Sequence, residues 1–224
     1  MNADGSELQQ LTSPPASFLD PNWYPDGHRI LVVENTGQLL SVDADTRQRK
    51  VVAKLDRNFA SSRLSPDGTK IAMNLLNDGI QNVWIMDLAN GKLKQITFDT
   101  EDAGYPAWSP DGKYIAIEIE RGPSNGIAIV PSDGGAPTEL TPYHGQHWLR
   151  DWSPDNDKVL YAKPGEDMIW NIWSVSRSTK IEKQLTHYTK TNAYVRYPTM
   201  SSRGNQIVYE YTESTGNIWM IEFK

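Results

Sequence analysis

Cysteine is absent from all 224 residues, which excludes a disulfide scaffold and any thiolate metal site but does not choose a compartment. No apolar run approaches the ~18 residues that a membrane span requires, so membrane insertion is not expected. Blocks of Lys and Arg are also missing. The 22 basic residues are scattered among 28 acidic ones for a formal net charge of −6, and the positive footprint needed by nucleic-acid partners is therefore lacking. Met1 to Ser6 contain neither the basic nor the apolar part of a secretion signal. No helical period appears, and no Gly-x-Ser-x-Gly pentapeptide supplies the nucleophile elbow of a serine hydrolase.

What the chain does contain is a repeat. Trp23-Tyr24-Pro25-Asp26-Gly27 returns as Leu64-Ser65-Pro66-Asp67-Gly68, Trp108-Ser109-Pro110-Asp111-Gly112 and Trp152-Ser153-Pro154-Asp155-Asn156, and in weaker form as Met200-Ser201-Ser202-Arg203-Gly204. The intervals are 41, 44, 44 and 48 residues, the period of a repeat architecture with one sheet per unit. Within each unit, Pro presets φ and Asp-Gly tolerates a left-handed residue, so the motif is a tight turn between two strands.

An alternating strand follows each turn, such as Tyr114-Ile115-Ala116-Ile117, and then a third strand, such as Asn82-Val83-Trp84-Ile85-Met86 or Asn171-Ile172-Trp173-Ser174-Val175. Asn90-Gly91 and Asp133-Gly134 mark hairpins into short outer strands. Four antiparallel strands per unit cannot bury both faces alone, so the units stack radially as blades. The sequence thus predicts an all-β fold, a single β-propeller domain over residues 1–224 with five four-stranded antiparallel blades. The eight tryptophans and ten tyrosines supply bulky core residues. The fifth unit stops after a third strand at residues 217–221, while residues 8–12, Leu-Gln-Gln-Leu-Thr, read as an orphan outer strand. Pairing the two would close the ring with the N-terminal strand in the last blade. The alternative is a larger propeller of which these units are a part.

The run from Trp108 to Ala116, Trp-Ser-Pro-Asp-Gly-Lys-Tyr-Ile-Ala, with Asn-Ile-Trp at 171–173 and Gln-Leu-Thr at 184–186, resembles the TolB-like propeller repeat, and the likeness extends over nearly the whole chain. The same repeat occurs in the propellers of tricorn-type, dipeptidyl peptidase IV and prolyl oligopeptidase families. The resemblance implies a non-enzymatic propeller serving protein–protein contacts in the bacterial periplasm or another exported location. Five blades depart from the six or more usual in that family. The motif specifies fold far better than function.

Two kinds of chemistry have candidate residues. A glycoside hydrolase needs two carboxylates flanking a bond; the loop acids Asp20, Glu34, Asp78, Asp102, Asp151 and Glu213 offer candidates that any acidic surface would match. His144 and His147 could bring two imidazoles together, without a third ligand. Neither pattern predicts a catalytic residue, a metal or a cofactor. The expected function is a non-catalytic module, a monomer that binds a protein or peptide, with a carbohydrate-active enzyme or a peptidase's accessory propeller as alternatives. Binding should fall to the loops around the channel, on the face opposite the Ser-Pro-Asp-Gly turns, because long loops on a rigid scaffold carry function. Those loops concentrate Tyr, Trp and Arg, the types that dominate interface energetics. The predicted binding residues are Tyr105, His147, Trp148, Arg150, Trp170, Arg196 and Tyr197.

Overall fold

A computed structural model describes residues 6, 8–12, 17–34, 37–55, 59–98 and 101–214. Every element among them is a strand. The first sheet holds β1 (Phe18–Trp23), β2 (Arg29–Glu34), β3 (Gln38–Asp43) and β4 (Arg49–Lys54) in that order. The second holds β5 (Phe59–Leu64), β6 (Lys70–Asn77), β7 (Ile80–Asp87) and β8 (Leu93–Gln95). The third is β9 (Ala103–Trp108), β10 (Tyr114–Arg121), β11 (Ser124–Pro131) and β12 (Thr138–Glu139). The fourth is β13 (Trp148–Trp152), β14 (Lys158–Pro164), β15 (Trp170–Ser176) and β16 (Glu182–Gln184). A fifth, β17 (Ala193–Met200) with β18 (Ile207–Glu213), has two described strands. All pairings are antiparallel, so the repeat and the meander order follow the expectation.

The closing strand does not. Residues 8–12 form no strand; Leu11 lies instead against the first blade, beside Ile30, Val32, Leu40 and Val42. Burying Leu11 on that apolar face is the local alternative to pairing with a distant edge. The expected partner at 217–221 lies outside the described residues.

The core is a series of layers between blades. Strand alternation sends successive side chains to opposite faces, and β10 shows the result. Ile115, Ile117 and Ile119 join Ala72, Val83 and Ile85 of the second blade, while Ala116 joins Leu149, Val159 and Tyr161 of the fourth. The innermost strands β1, β5, β9, β13 and β17 lie side by side, and each is tied to the next by a side chain reaching a neighbour's backbone. Ser62 N–H donates to Asp20 Oδ2 at 2.9 Å, Trp108 Nε1 donates to Arg63 O at 3.0 Å, and Trp152 Nε1 to Ala107 O at 2.9 Å. Met200 N–H donates to Asp151 Oδ2 at 2.9 Å.

The repeat motifs turn out to be structural. Ser65 Oγ donates to Asp67 Oδ1 and accepts from Lys70 N–H, and Ser109 does the same with Asp111 and Tyr114. These bonds pin the start of the second strand to the turn. The Thr of the Ile-Thr or Leu-Thr pair in blades two, three and four accepts from a third-strand N–H: Thr97 from Val83, Thr141 from Ile127 and Thr186 from Ile172.

Gly68 and Gly112 occupy equivalent turns at φ +72° and +70°, where a Cβ costs roughly 1–2 kcal/mol. Only Gly68 would also press its Cβ to 2.9 Å from Pro25 Cδ. Gly68→Ala is therefore expected to destabilise more than Gly112→Ala in chemical denaturation. Equal losses would show that the contact between adjacent turns contributes nothing.

Candidate functional site

Each innermost strand carries a β-bulge. Between paired residues of β9, Tyr105 and Pro106 face a single residue of β10, and Tyr197 and Pro198 of β17 repeat the arrangement. The bulge residue takes a left-handed backbone in four blades: Asp20 at φ 47°, Ser61 at 48°, Tyr105 at 52° and Tyr197 at 55°. Non-glycine residues pay for that conformation, and such strain gathers at functional positions. The bulge holds Tyr105 and Tyr197 out of the packed layers, each 51% exposed.

Between blades three, four and five these tyrosines border a cavity of about 340 Å³. Tyr105, Trp148, Arg196 and Tyr197 line it, with Glu118, Glu120, Asn125 and Gln146 completing much of the wall. Four of the seven predicted binding residues thus meet in one place, and they come from three blades. The cavity lies at the β10–β11 hairpin and the chain entering β13, the predicted loop face. Trp148 is half-buried and stacks on Trp170 with ring centroids 4.0 Å apart.

The other three predicted residues sit differently. Trp170 is 8% exposed and backs Trp148 rather than facing a partner. Arg150 leans across the ring of Tyr197, at 5.2 Å from its centroid, and lines a second cavity near the turns at Pro25 and Pro66. His147 corrects its expectation as a surface contact, because it is 1% exposed. Its ring tilts against Tyr161, its Nδ1 lies 3.0 Å from Asn125 O, and its N–H donates to Asn125 Oδ1. Burial pushes its pKa down to about 4, with the Lys163 charge adding to the effect. That imidazole is a neutral core side chain.

Glu118 and Glu120, absent from the sequence prediction, supply the site's carboxyl groups. Glu118 is 4% exposed; its Oε1 accepts from Leu149 N–H at 2.6 Å and its Oε2 from Asn125 Nδ2 at 2.9 Å. Burial raises its pKa to about 8, against the lowering by the Leu149 hydrogen bond, and the Glu120 charge raises it further. Tyr105 is also raised, by burial first and then by the charges of Glu118 and Glu120. Arg196 is paired with Glu210 at 2.5 Å.

Four of the loop acids serve the frame. Asp20, Asp102 and Asp151 each accept a backbone N–H, from Ser62, Gln81 and Met200 respectively, and Glu213 pairs with Lys190. Among the described residues no group of three or more His, Asp or Glu side chains could hold a metal ion, and no helix is long and apolar enough to cross a membrane.

Known proteins share this architecture. A protein of Agrobacterium fabrum without an assigned function is 28% identical over 176 residues, covering 74% of this chain and 58% of that protein. The Tol-Pal system protein TolB of Alcanivorax borkumensis is 31% identical over 114 residues, 50% of this chain and 26% of its own length. The chain therefore spans little more than half of the first relative and a quarter of the second. Among solved structures, a putative TolB from Agrobacterium tumefaciens superposes with a TM-score of 0.80 at 22% identity, over 91% of this chain and 73% of the other. An oligogalacturonate lyase in complex with manganese reaches 0.68 at 17% identity, over 87% and 59%; at such identities the likeness is one of fold. The sequence model of the TolB beta propeller domain matches residues 1–222, and the chain belongs to that family.

Proposed function

We propose that this propeller is a non-catalytic binding domain that takes a protein or peptide partner in the cavity between blades three, four and five, and that it works in the bacterial periplasm or another exported location. The observation that carries the reading is the convergence of Tyr105, Trp148, Arg196 and Tyr197 on one cavity. Two of its rings are held out by left-handed bulges rather than by packing. Aromatic and Arg side chains in a concave, partly desolvated site are the usual anchors of a protein interface. A TolB among the relatives supports the same assignment.

The test is selection of displayed peptides on the immobilised chain, followed by calorimetry of the selected peptides. Changing Tyr105, Arg196 and Tyr197 together to Ala is expected to weaken binding by ~100-fold or more, since anchor residues cost about 2 kcal/mol or more each when truncated. The melting temperature should move by only a few degrees, as these side chains are outside the packed layers. Unchanged affinity would overturn the assignment.

A second reading is an enzyme acting on carbohydrate at the same cavity, favoured by Glu118 and Glu120 standing two residues apart with one pKa near 8. It requires measurable hydrolysis or elimination on glycosides or oligogalacturonate that disappears in Glu120→Gln. Absence of turnover across such substrates would leave the binding reading alone.

A further inference from the structure

We infer that the cavity selects its partner by a cationic nitrogen, a lysine or arginine side chain or a free chain terminus, held between the ring of Tyr105 and the carboxyl groups of Glu118 and Glu120. This deepens the binding assignment above and rests on it.

The argument starts from an internal comparison. In the repeat, Glu118 of β10 stands where Asn74 stands in β6. Asn74 Oδ1 accepts from Tyr105 N–H at 3.1 Å, tying blade two to blade three. Glu118 Oε1 accepts from Leu149 N–H and ties blade three to blade four in the same way. A neutral amide is therefore sufficient for the tie, and Val33 and Ala162 show that the position needs no polar group at all; the fifth repeat has Glu210 there, paired with Arg196. An ionisable group buried there is costly unless something compensates it. A pKa raised by burial holds Glu118 in its neutral form, with an N–H donor on each oxygen, and among the described residues neither Glu118 nor Glu120 forms an ion pair that would favour the charged one.

The surroundings suit a cation from outside. Glu118 accepts one N–H on each oxygen, which fixes the carboxyl group and leaves lone pairs for a further donor. Tyr105 is half-exposed at the same cavity, feels both carboxylates, and carries no Lys or Arg against its ring among the described residues. A cation over an aromatic face beside a carboxylate gains from both. The cation already present, Arg196, is committed to Glu210. Arg150 and Arg196 both lie near Tyr197, at 5.2 and 5.5 Å from its centroid, so the free ring is that of Tyr105.

The probes are N-acetyl-lysine methylamide, N-acetyl-arginine methylamide and alanyl-alanine amide with a free amine, against neutral N-acetyl-norleucine methylamide and N-acetyl-alanyl-alanine amide. Binding is followed by NMR shifts of the Trp148 indole and the Leu149 amide. The three cations separate the lysine, arginine and terminus sources; at least one is expected to bind ~10-fold or more tighter than its neutral counterpart. Glu118→Gln, which keeps the acceptor for Leu149 as Asn74 does for Tyr105, should remove most of that preference, and Glu120→Gln part of it. The affinity of the lysine or arginine probe should rise between pH 6 and 9 as Glu118 ionises, whereas the terminal amine loses its own proton at about pH 8 and is compared below about pH 7. The other groups facing Glu118 are Tyr105, which stays neutral, Glu120, Arg196, Tyr197, and the neutral His147 behind Asn125. Equal binding of neutral and cationic probes to the wild-type chain overturns the inference, whether or not the Gln variants fold. Selected peptides that bind without any cationic requirement would also overturn it and leave the broader binding role standing.

Discussion

Trp152→Ala is expected to lower the stability of the domain by about 3–5 kcal/mol, the range for removing a large buried aromatic side chain. Trp152 is 2% exposed in the layer between blades three and four, and its indole N–H is spent on Ala107 O. Its loss opens a cavity and orphans a buried carbonyl, which adds about 1–3 kcal/mol in unfavourable cases. For a domain of this size each kcal/mol is worth ~2–4 °C, so thermal melting should fall by roughly 10 °C or more. Trp23 is the internal control. It occupies the same place in the first repeat but is 59% exposed, and Trp23→Ala should change stability by less than about 1 kcal/mol. Comparable losses at the two positions would show that blade contact is not what makes the indole matter.

Stability should also fall as the solution is made alkaline, and Glu118 should be responsible. Its folded pKa is raised from 4.5 to about 8 by burial. The neutral form is favoured in the fold, so its contribution is fully present below pH 4.5 and is lost as pH climbs to about 8. At about 1.4 kcal/mol per unit, the loss amounts to a few kcal/mol. Glu118→Gln cannot ionise, and its denaturation midpoint should stay flat from pH 5 to 9 relative to the wild type. Parallel profiles for the two proteins would refute the assignment. His147 works on the acid side with the opposite sign. A pKa depressed from 6.5 to about 4 means that stability is lost as pH falls through that interval, because the unfolded imidazole takes up the proton first.

The blades were legible because their signals are local. Pro-Asp-Gly presets a turn, the preceding Ser hydroxyl bridges it to the next strand, and alternation orients each strand within a few residues. Ring closure was not legible, because pairing residues 8–12 with a distant edge is a long-range choice that a five-residue pattern cannot decide. Leu11 found an apolar face nearer at hand. Tyr105, Trp148, Arg196 and Tyr197, singled out because aromatic and basic residues in loops are seldom needed by turns, come together at the cavity. His147 and Trp170 come from the same stretches, but whether a loop ring points out or in depends on Asn125, Tyr161 and Trp148, residues far along the chain or across the sheet. Glu118 was missed because the strand read from sequence stops at Ile117, whereas β10 continues to Arg121. An aligned comparison of Val33, Asn74, Glu118, Ala162 and Glu210 would have exposed acids at this position in the third and fifth repeats, of which only Glu118 is buried.

The left-handed bulge makes the border of the cavity editable. The same backbone, with φ between 47° and 55°, holds aspartate, serine and two tyrosines at Asp20, Ser61, Tyr105 and Tyr197. A conformation that accepts a carboxylate, a hydroxyl or a phenol alike asks little of the side chain it presents. The energetic demand is met by the strand pairing on either side, above and below the bulge. Substitutions at Tyr105 and Tyr197 can therefore change what the cavity's border attracts while the layers behind keep their packing, whereas Asp20 also holds the Ser62 N–H of the next blade. In an evolving lineage, a scaffold of this kind would change ligands through single codons at fixed intervals of the gene, without insertions or new loops.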